Sequence, residues 1–129
     1  MSYRWVDHTA EIELHVEAPG PERVLVEAMS ALAELLDGGS GDPETREVRL
    51  ERPDLPALLV GWLEEVLFLA DTEGFVPDDA QIGLRGNELH ALVRGRRTEQ
   101  RPLVKAVTYH GLEFEPAGDG WRAKVVLDV

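Results

Sequence analysis

The sequence predicts an α+β fold in which two helices pack on a mainly antiparallel sheet of about six or seven strands. Two segments repeat apolar residues at helical spacing, and most other segments alternate apolar and polar residues in short runs. Turns that contain glycine join several of these runs as hairpins. With 129 residues, a mass of 14.3 kDa and 43% hydrophobic residues, the chain suits one domain over residues 1–129.

The first predicted strand begins at Glu11, where eight residues alternate strictly between apolar and polar. One face of this strand carries its apolar residues, which are Ile12, Leu14 and Val16. Pro19–Pro21 then turns the chain into an amphipathic helix over about residues 21–37, and Gly38–Gly39 ends that helix.

A second strand and a second helix follow. Glu47–Arg52 alternates as a short strand. Asp54 can cap the next helix, and Pro56 falls in its first turn, where the missing N–H costs little. This helix has the strongest apolar stripe of the chain, and we expect it to stop near Asp71–Gly74.

The middle of the chain is predicted to form a hairpin followed by a loop. Ile82 and Leu84 alternate with polar or glycine neighbours, and Gly86–Asn87 makes a turn into a strand at Leu89–Val93. The charged residues Arg94–Arg101 are predicted to form the loop that follows.

Two long strands are predicted to complete the chain. Val104–Phe114 is extended and bends at Gly111, and Ala117–Gly120 forms another hairpin connection. Trp121–Val129 then alternates to the end of the sequence.

The charge balance favours some partners over others. Thirteen basic and 25 acidic side chains give a formal net charge of −12. Direct nucleic-acid binding is not expected, since affinity for phosphates depends on Lys and Arg, whereas a cation or a basic protein surface suits an acidic chain. Cysteine is absent, which excludes thiolate metal sites and cysteine nucleophiles. No basic leader or membrane-length apolar run is recognisable, so we expect a cytoplasmic protein with no membrane association.

The segment Asp7–Glu11 is the first candidate for chemistry. Its order Asp-His-Thr-Ala-Glu places two carboxylates, an imidazole and a hydroxyl close together at the start of a strand. Oxygen-rich sets of this kind bind hard cations such as calcium and magnesium. The same side chains also suit a hydrogen-bonded turn, and the segment considered alone favours the turn over the cation site.

The carboxyl end supplies a further acidic residue. If the last strand pairs beside the strand that begins at Glu11, Asp128 comes near Glu11. Two close carboxylates repel each other unless a cation or a lysine such as Lys105 neutralises them. The alternative is a surface salt bridge that contributes almost nothing to stability.

Four segments resemble the archease family in the family's order. Asp7–Glu11 resembles its Asp-His-Thr-Ala-Asp box and Leu69–Gly74 its helix-ending segment. Val104–His110 resembles its Glu-Val-Lys-Ala-Val-Thr-Tyr-His box, and Val125–Val129 its closing strand. The resemblance spans the full length of the chain.

This resemblance implies an accessory protein of the GTP-dependent, RtcB-type tRNA-splicing ligase. Archeases are understood to promote attachment of GMP to a ligase histidine and repeated turnover, without catalysing ligation themselves. The family's metal ligands correspond here to Glu11, Asp128 and the main chain of Val129, with calcium as the expected ion. Glu11 departs from the family's aspartate by one methylene, which a flexible calcium shell tolerates better than magnesium.

Five further residues are candidates for additional metal or partner contact: Asp7, His8, Lys105, Tyr109 and His110. In the resemblance they belong to family boxes.

A group of four arginines could contact phosphate or an acidic patch, or simply be solvated: Arg94, Arg96, Arg97 and Arg101.

Two other functions stay open. In a small metal-dependent hydrolase, Glu11, Asp128 and Asp7 would hold a cation that activates water, and His8 would move protons. A general chaperone-like adaptor would use the same sheet surface for several partners. The sequence lacks a phosphate-cradling glycine loop and a dinucleotide fingerprint, so we expect no enzyme.

Overall fold

The computed structural model describes residues 2–7, 11–36, 38–99 and 104–129. Two helices and seven strands occur in this part of the chain. Their order is β1 (Ser2–Asp7), β2 (Glu11–Ala18), α1 (Pro21–Glu34), β3 (Glu44–Glu51), α2 (Leu55–Glu73), β4 (Phe75–Arg85), β5 (Glu88–Arg97), β6 (Ala106–Ala117) and β7 (Gly120–Asp128).

The strands form two antiparallel sheets. The four-stranded sheet has the order β1-β2-β7-β6, and the three-stranded sheet has the order β3-β5-β4. Helix α1 packs against β2 and β4, and α2 packs against β6 and β4, so each helix contacts both sheets. The predicted α+β class is therefore confirmed, and the division of the strands between two sheets is a feature that we did not predict.

Helix α1 ends three residues before the predicted boundary. After Glu34 the chain forms a tighter turn, in which the Leu35 N–H donates to the Leu32 carbonyl at 2.9 Å. The Leu36 N–H likewise donates to the Ala33 carbonyl at 3.1 Å. Bonds between residues three apart are typical of a helix that tightens at its end. Leu36 is still buried, so the apolar spacing continues beyond the helix and made the prediction too long.

Helix α2 begins and ends at the predicted residues. The Asp54 carboxylate accepts a hydrogen bond from the Ala57 N–H at 2.8 Å, which confirms the predicted cap. Gly74 has a φ of 67°, and its N–H donates to the Ala70 carbonyl at 3.0 Å. The left-handed conformation favours glycine, so this residue ends the helix locally.

The sequence did not indicate the amino-terminal strand β1. We predicted no strand before Glu11, but β1 pairs with β2 along its whole length. The signal was the spacing of Tyr3 and Trp5 on either side of Arg4, and both aromatic side chains pack against the core.

Strands β3 and β4 begin earlier than predicted. Strand β3 starts at Glu44, three residues before the predicted Glu47, because these residues pair with the end of β5. Strand β4 starts at Phe75 rather than near Ile82, and it pairs with β5 from its first residue.

The prediction of a loop from Arg94 was wrong for Arg94–Arg97. These four residues continue β5, paired on one side with β4, and Arg94 and Gly95 pair with β3 on the other. A side chain at Gly95 would meet the Val76 carbonyl oxygen at 2.2 Å, so a glycine is needed here. Pairing with β4 along the whole segment, and with β3 at two of its residues, holds this segment extended despite its charge.

Strand β6 bends where predicted. Its pairing with β7 shifts register between Thr108 and Glu113, and Gly111 within this stretch has a φ of 63°. Such an irregularity bends the strand and interrupts the side-chain alternation. The regular pairing of β6 at its start therefore covers only Ala106, Val107 and Thr108.

Candidate functional site

The two ends of the chain meet in the four-stranded sheet. Strands β2 and β7 are antiparallel neighbours, and their register places Glu11 directly opposite Asp128. Residues directly opposite in such a pair share one sheet face, with Cβ atoms about 4.5–5.5 Å apart. The next pair, Ile12 and Leu127, lies on the other face, where Leu127 is buried in the core. The two carboxylates are therefore neighbours on the sheet face opposite the core.

Asp128 lies between two strands at the end of the sheet. Its other neighbour is Ala106 of β6, and its carbonyl accepts a hydrogen bond from the Lys105 N–H at 2.8 Å. Glu11 and Asp128 are both partly exposed, and Val129, which follows Asp128, is 41% exposed. Solvent and a partner can thus reach the carboxylate pair, while the main chain around it is held by the sheet.

The donor chemistry of this pair fits a hard cation. Two carboxylates offer up to four oxygens, and the Val129 main chain adds oxygen, which is the ligand atom that calcium prefers. Like charges directly opposite each other in a sheet destabilise it, and a cation between them removes that cost. Within the described ranges, no group of three or more Asp, Glu or His side chains could hold a metal. Any further ligands would be main-chain or water oxygens, or residues outside those ranges.

Asp7 and His8 were also predicted to contribute to the metal or partner site, and the described residues include only the main chain of Asp7. The main chain of Asp7 pairs with Ile12, next to Glu11 in the sheet. The Asp7 side chain and the whole of His8 lie outside the described residues, so their part in a site stays a prediction.

The other three predicted contact residues lie near the start of β6. Lys105 is exposed, and its main chain contacts Asp128 directly. Tyr109 is 62% exposed, and His110 is exposed with its N–H donating to the Thr108 hydroxyl at 3.3 Å. Lys105 therefore adjoins the carboxylate pair, whereas Tyr109 and His110 belong to the irregular part of β6.

Two of the four arginines, for which phosphate, an acidic patch and solvation were all open, bind groups of this chain. The Arg97 guanidinium donates to the Glu44 carboxylate at 2.8 Å, and that of Arg96 donates to the Gly41 carbonyl at 2.7 Å. Arg94 is exposed, and Arg101 lies outside the described residues. The geometry of Arg96 and Arg97 thus favours a structural role at the end of β5.

The Glu44 carboxylate gives stability a predictable pH dependence. Hydrogen bonds from Arg97, and then from Arg46, hold the pKa of Glu44 below its ordinary value of 4.5. A lowered carboxylate pKa stabilises the fold above the unfolded-state pKa, and this contribution is lost as the pH falls through the folded-state pKa. Glu44→Gln should therefore lower the melting temperature at neutral pH and have little effect well below pH 4.5.

Thermal melts at the two pH values test this expectation. Glu47→Gln is the matched control, because Glu47 is an exposed residue of the same strand. An equal fall in melting temperature at both pH values, or an equal fall in the Glu47→Gln control, would contradict the assigned role of Glu44.

A groove beside the carboxylate pair was not predicted. It has a volume of about 490 Å³ and is lined by Glu64, Leu67, Phe68 and Asp71 of α2 and by residues 104–107. Lys105 and Ala106 belong both to this lining and to the surroundings of Asp128. The signal in the sequence was Phe68, a large apolar residue that lies beside the apolar stripe of α2. In the structure, Phe68 is 49% exposed.

Neither helix in the described part of the chain has the length and apolar character needed to cross a membrane.

Comparison with known proteins places the chain in a family. The sequence profile of the archease protein family matches residues 3–129. "Protein archease" of Methanosarcina mazei is 36% identical over 140 residues, covering 98% of this chain and 95% of that protein. The protein of the same name from Methanopyrus kandleri is 34% identical, and the match covers 100% of both chains.

Two solved structures share the fold. The crystal structure of a Thermotoga maritima protein, described as an archease and possible chaperone, superposes with a TM-score of 0.70 and 28% identity, covering 96% of this chain and 94% of the other. The solution structure of Methanobacterium thermoautotrophicum protein 1598 gives a TM-score of 0.73 and 26% identity, with 98% of each chain covered. The profile match and the full-length relatives agree with these structures, and the chain belongs to the archease protein family.

Proposed function

We propose that this chain is a non-catalytic activator of a GTP-dependent, RtcB-type tRNA-splicing RNA ligase. It promotes attachment of GMP to the ligase and so supports multiple turnover. The observation that carries the proposal is the register of β2 and β7, which brings Glu11 opposite Asp128. These are the two acidic positions that the family resemblance assigns to metal binding, and they lie 117 residues apart in sequence.

Glu11, Asp128 and the main chain of Val129 would hold a divalent metal, calcium by preference. The ion would supply concentrated positive charge at an exposed end of the sheet. Calcium takes six to eight oxygens in a flexible shell, so the longer arm of Glu11 can be accommodated by one or two carboxylate oxygens. The protein's own contribution is to hold two like charges in place through the sheet ladder, rather than through flexible loops.

The net charge supports a protein partner rather than RNA. A chain with a formal charge of −12 is attracted to the basic surface that an RNA-binding ligase presents, and is repelled by RNA phosphates. Partner contact would involve Lys105 beside the carboxylate pair and the exposed Tyr109 and His110 further along β6. Asp7 and His8 would add to this contact.

A chaperone-like adaptor is the second candidate. The observation that favours it is the Thermotoga maritima archease, which is described as a possible chaperone and has the same fold. An adaptor of this kind would protect several unrelated clients from aggregation, whereas the proposed activator acts on one ligase through its reaction with GTP.

The ligase reaction distinguishes these candidates. An RtcB-type ligase is mixed with GTP, manganese and increasing amounts of this protein, and covalent ligase–GMP is followed over time. We expect guanylylation to become at least several-fold faster and the number of ligation turnovers per ligase to rise. No acceleration at any ratio would overturn the activator proposal.

Two further measurements address the alternatives. Suppression of aggregation of unrelated proteins, without faster guanylylation, would support the adaptor. Hydrolysis of RNA or nucleotides by the protein alone, abolished by Glu11→Ala, would support a metal-dependent hydrolase.

A further inference from the structure

The groove between α2 and the start of β6 combines an exposed aromatic ring with an acidic rim. Glu64, Phe68 and Asp71 are spaced four and three residues apart, so they lie on one face of α2. Phe68 is 49% exposed, although a large apolar side chain gains free energy when it leaves water. Leu67, Val104 and Val107 extend the apolar lining around it.

Strand β6 forms the opposite wall of the groove and is an edge strand. Within the described part of the chain, β6 pairs with β7 and with no strand on its other side. An edge strand presents main-chain N–H and carbonyl groups that an added strand can pair with. The regular stretch from Ala106 to Thr108 precedes the register shift and is long enough for a short extended segment.

The charges select the kind of occupant. Two carboxylates, those of Glu64 and Asp71, flank Phe68, and Lys105 is the single cation of the described lining. A second copy of this chain would bring the same acidic rim and another net charge of −12 against this one. A segment that carries arginine or lysine beside an apolar side chain complements the groove in both charge and polarity.

We propose that this groove docks an extended, basic segment of the RNA ligase, with a large apolar side chain of that segment seated against Phe68. The inference rests on the proposed function and assigns the surface that holds the ligase. The position is suitable, because Lys105 and Ala106 line the groove and also contact or pair with Asp128. A ligase segment bound here would bring the ligase next to the carboxylate pair.

Binding of the purified ligase to variants of this protein tests the proposal. Phe68→Glu should weaken binding and raise the dissociation constant, measured by isothermal titration calorimetry, at least tenfold. Leu92→Glu is the matched control, since Leu92 is a 42% exposed apolar residue on the three-stranded sheet, and its affinity should stay within twofold of wild type. Glu64→Lys, on the exposed rim, should weaken binding more at low than at high salt.

The outcomes separate this proposal from the proposed function. If Phe68→Glu and Glu64→Lys both bind the ligase with wild-type affinity and still accelerate guanylylation, the docking surface is overturned and the proposed function stands. Absence of any ligase binding or acceleration by the wild-type protein would overturn both. A wild-type dimer in sedimentation experiments that Phe68→Glu dissociates would show a second copy as the occupant and overturn the proposal.

Discussion

Asp128→Asn should abolish acceleration of ligase guanylylation while leaving the fold intact. Asparagine keeps the size of the side chain but removes its charge and one anionic ligand. We expect at least a tenfold loss of acceleration, because the metal would keep only the Glu11 carboxylate of the two that the register pairs. Without metal, the variant should be as stable as wild type or more stable by up to about 1 kcal/mol, since a like-charge pair is relieved.

Glu47→Gln is again a suitable control, because it removes one exposed carboxylate from the other sheet. It should leave acceleration unchanged. Full acceleration by Asp128→Asn would contradict the role of the carboxylate pair, and global unfolding of that variant would indicate a structural role for Asp128.

Trp62→Ala should have the largest effect on stability. Trp62 is fully buried in α2, and its indole N–H donates to the Leu25 carbonyl of α1 at 2.9 Å. The substitution removes this link between the helices and leaves a cavity, which typically costs about 3–5 kcal/mol. The melting temperature should fall by on the order of 10–20 °C, as measured by circular dichroism.

Phe68→Ala provides the comparison for Trp62→Ala within the same helix. Phe68 is also aromatic but is 49% exposed, so its loss should change the free energy of unfolding by no more than about 1 kcal/mol. Similar losses in the two variants would show that the buried contact of Trp62 does not hold the two helices together.

The boundaries of α2 could be predicted because their causes are local. Asp54 caps the first turn through its own side chain, and Gly74 ends the helix through its own backbone conformation. The end of α1 could not be predicted in this way. Leu35 and Leu36 continue the apolar spacing, and only the packing of the folded chain shows that they lie in a turn.

The extended form of Arg94–Arg97 has a non-local cause. A run of charged residues predicts a loop when it is considered alone, but Glu44 pairs with Gly95 and binds Arg97. The residues that hold this segment in β5 belong to β3, about fifty positions away in sequence, and to β4, about twenty positions away. The division of the strands between two sheets has the same kind of cause.

For the candidate site, too, the sequence indicated the residue types but not their positions in the fold. The residue types of Glu11 and Asp128 indicated cation chemistry, but their proximity depended on which strands pair. The groove could not be predicted from the sequence, because it exists only where α2 packs beside β6. The exposure of Phe68 and its neighbours in the groove became known only from the fold.

A calcium titration tests most directly whether the paired chain ends form a cation site. Isothermal titration calorimetry of the metal-free protein should show one calcium ion bound per chain, and Asp128→Asn should abolish this binding. Circular dichroism of both proteins checks that the fold is retained. Absence of calcium binding by the wild-type protein, or equal binding by the folded variant, would contradict the account.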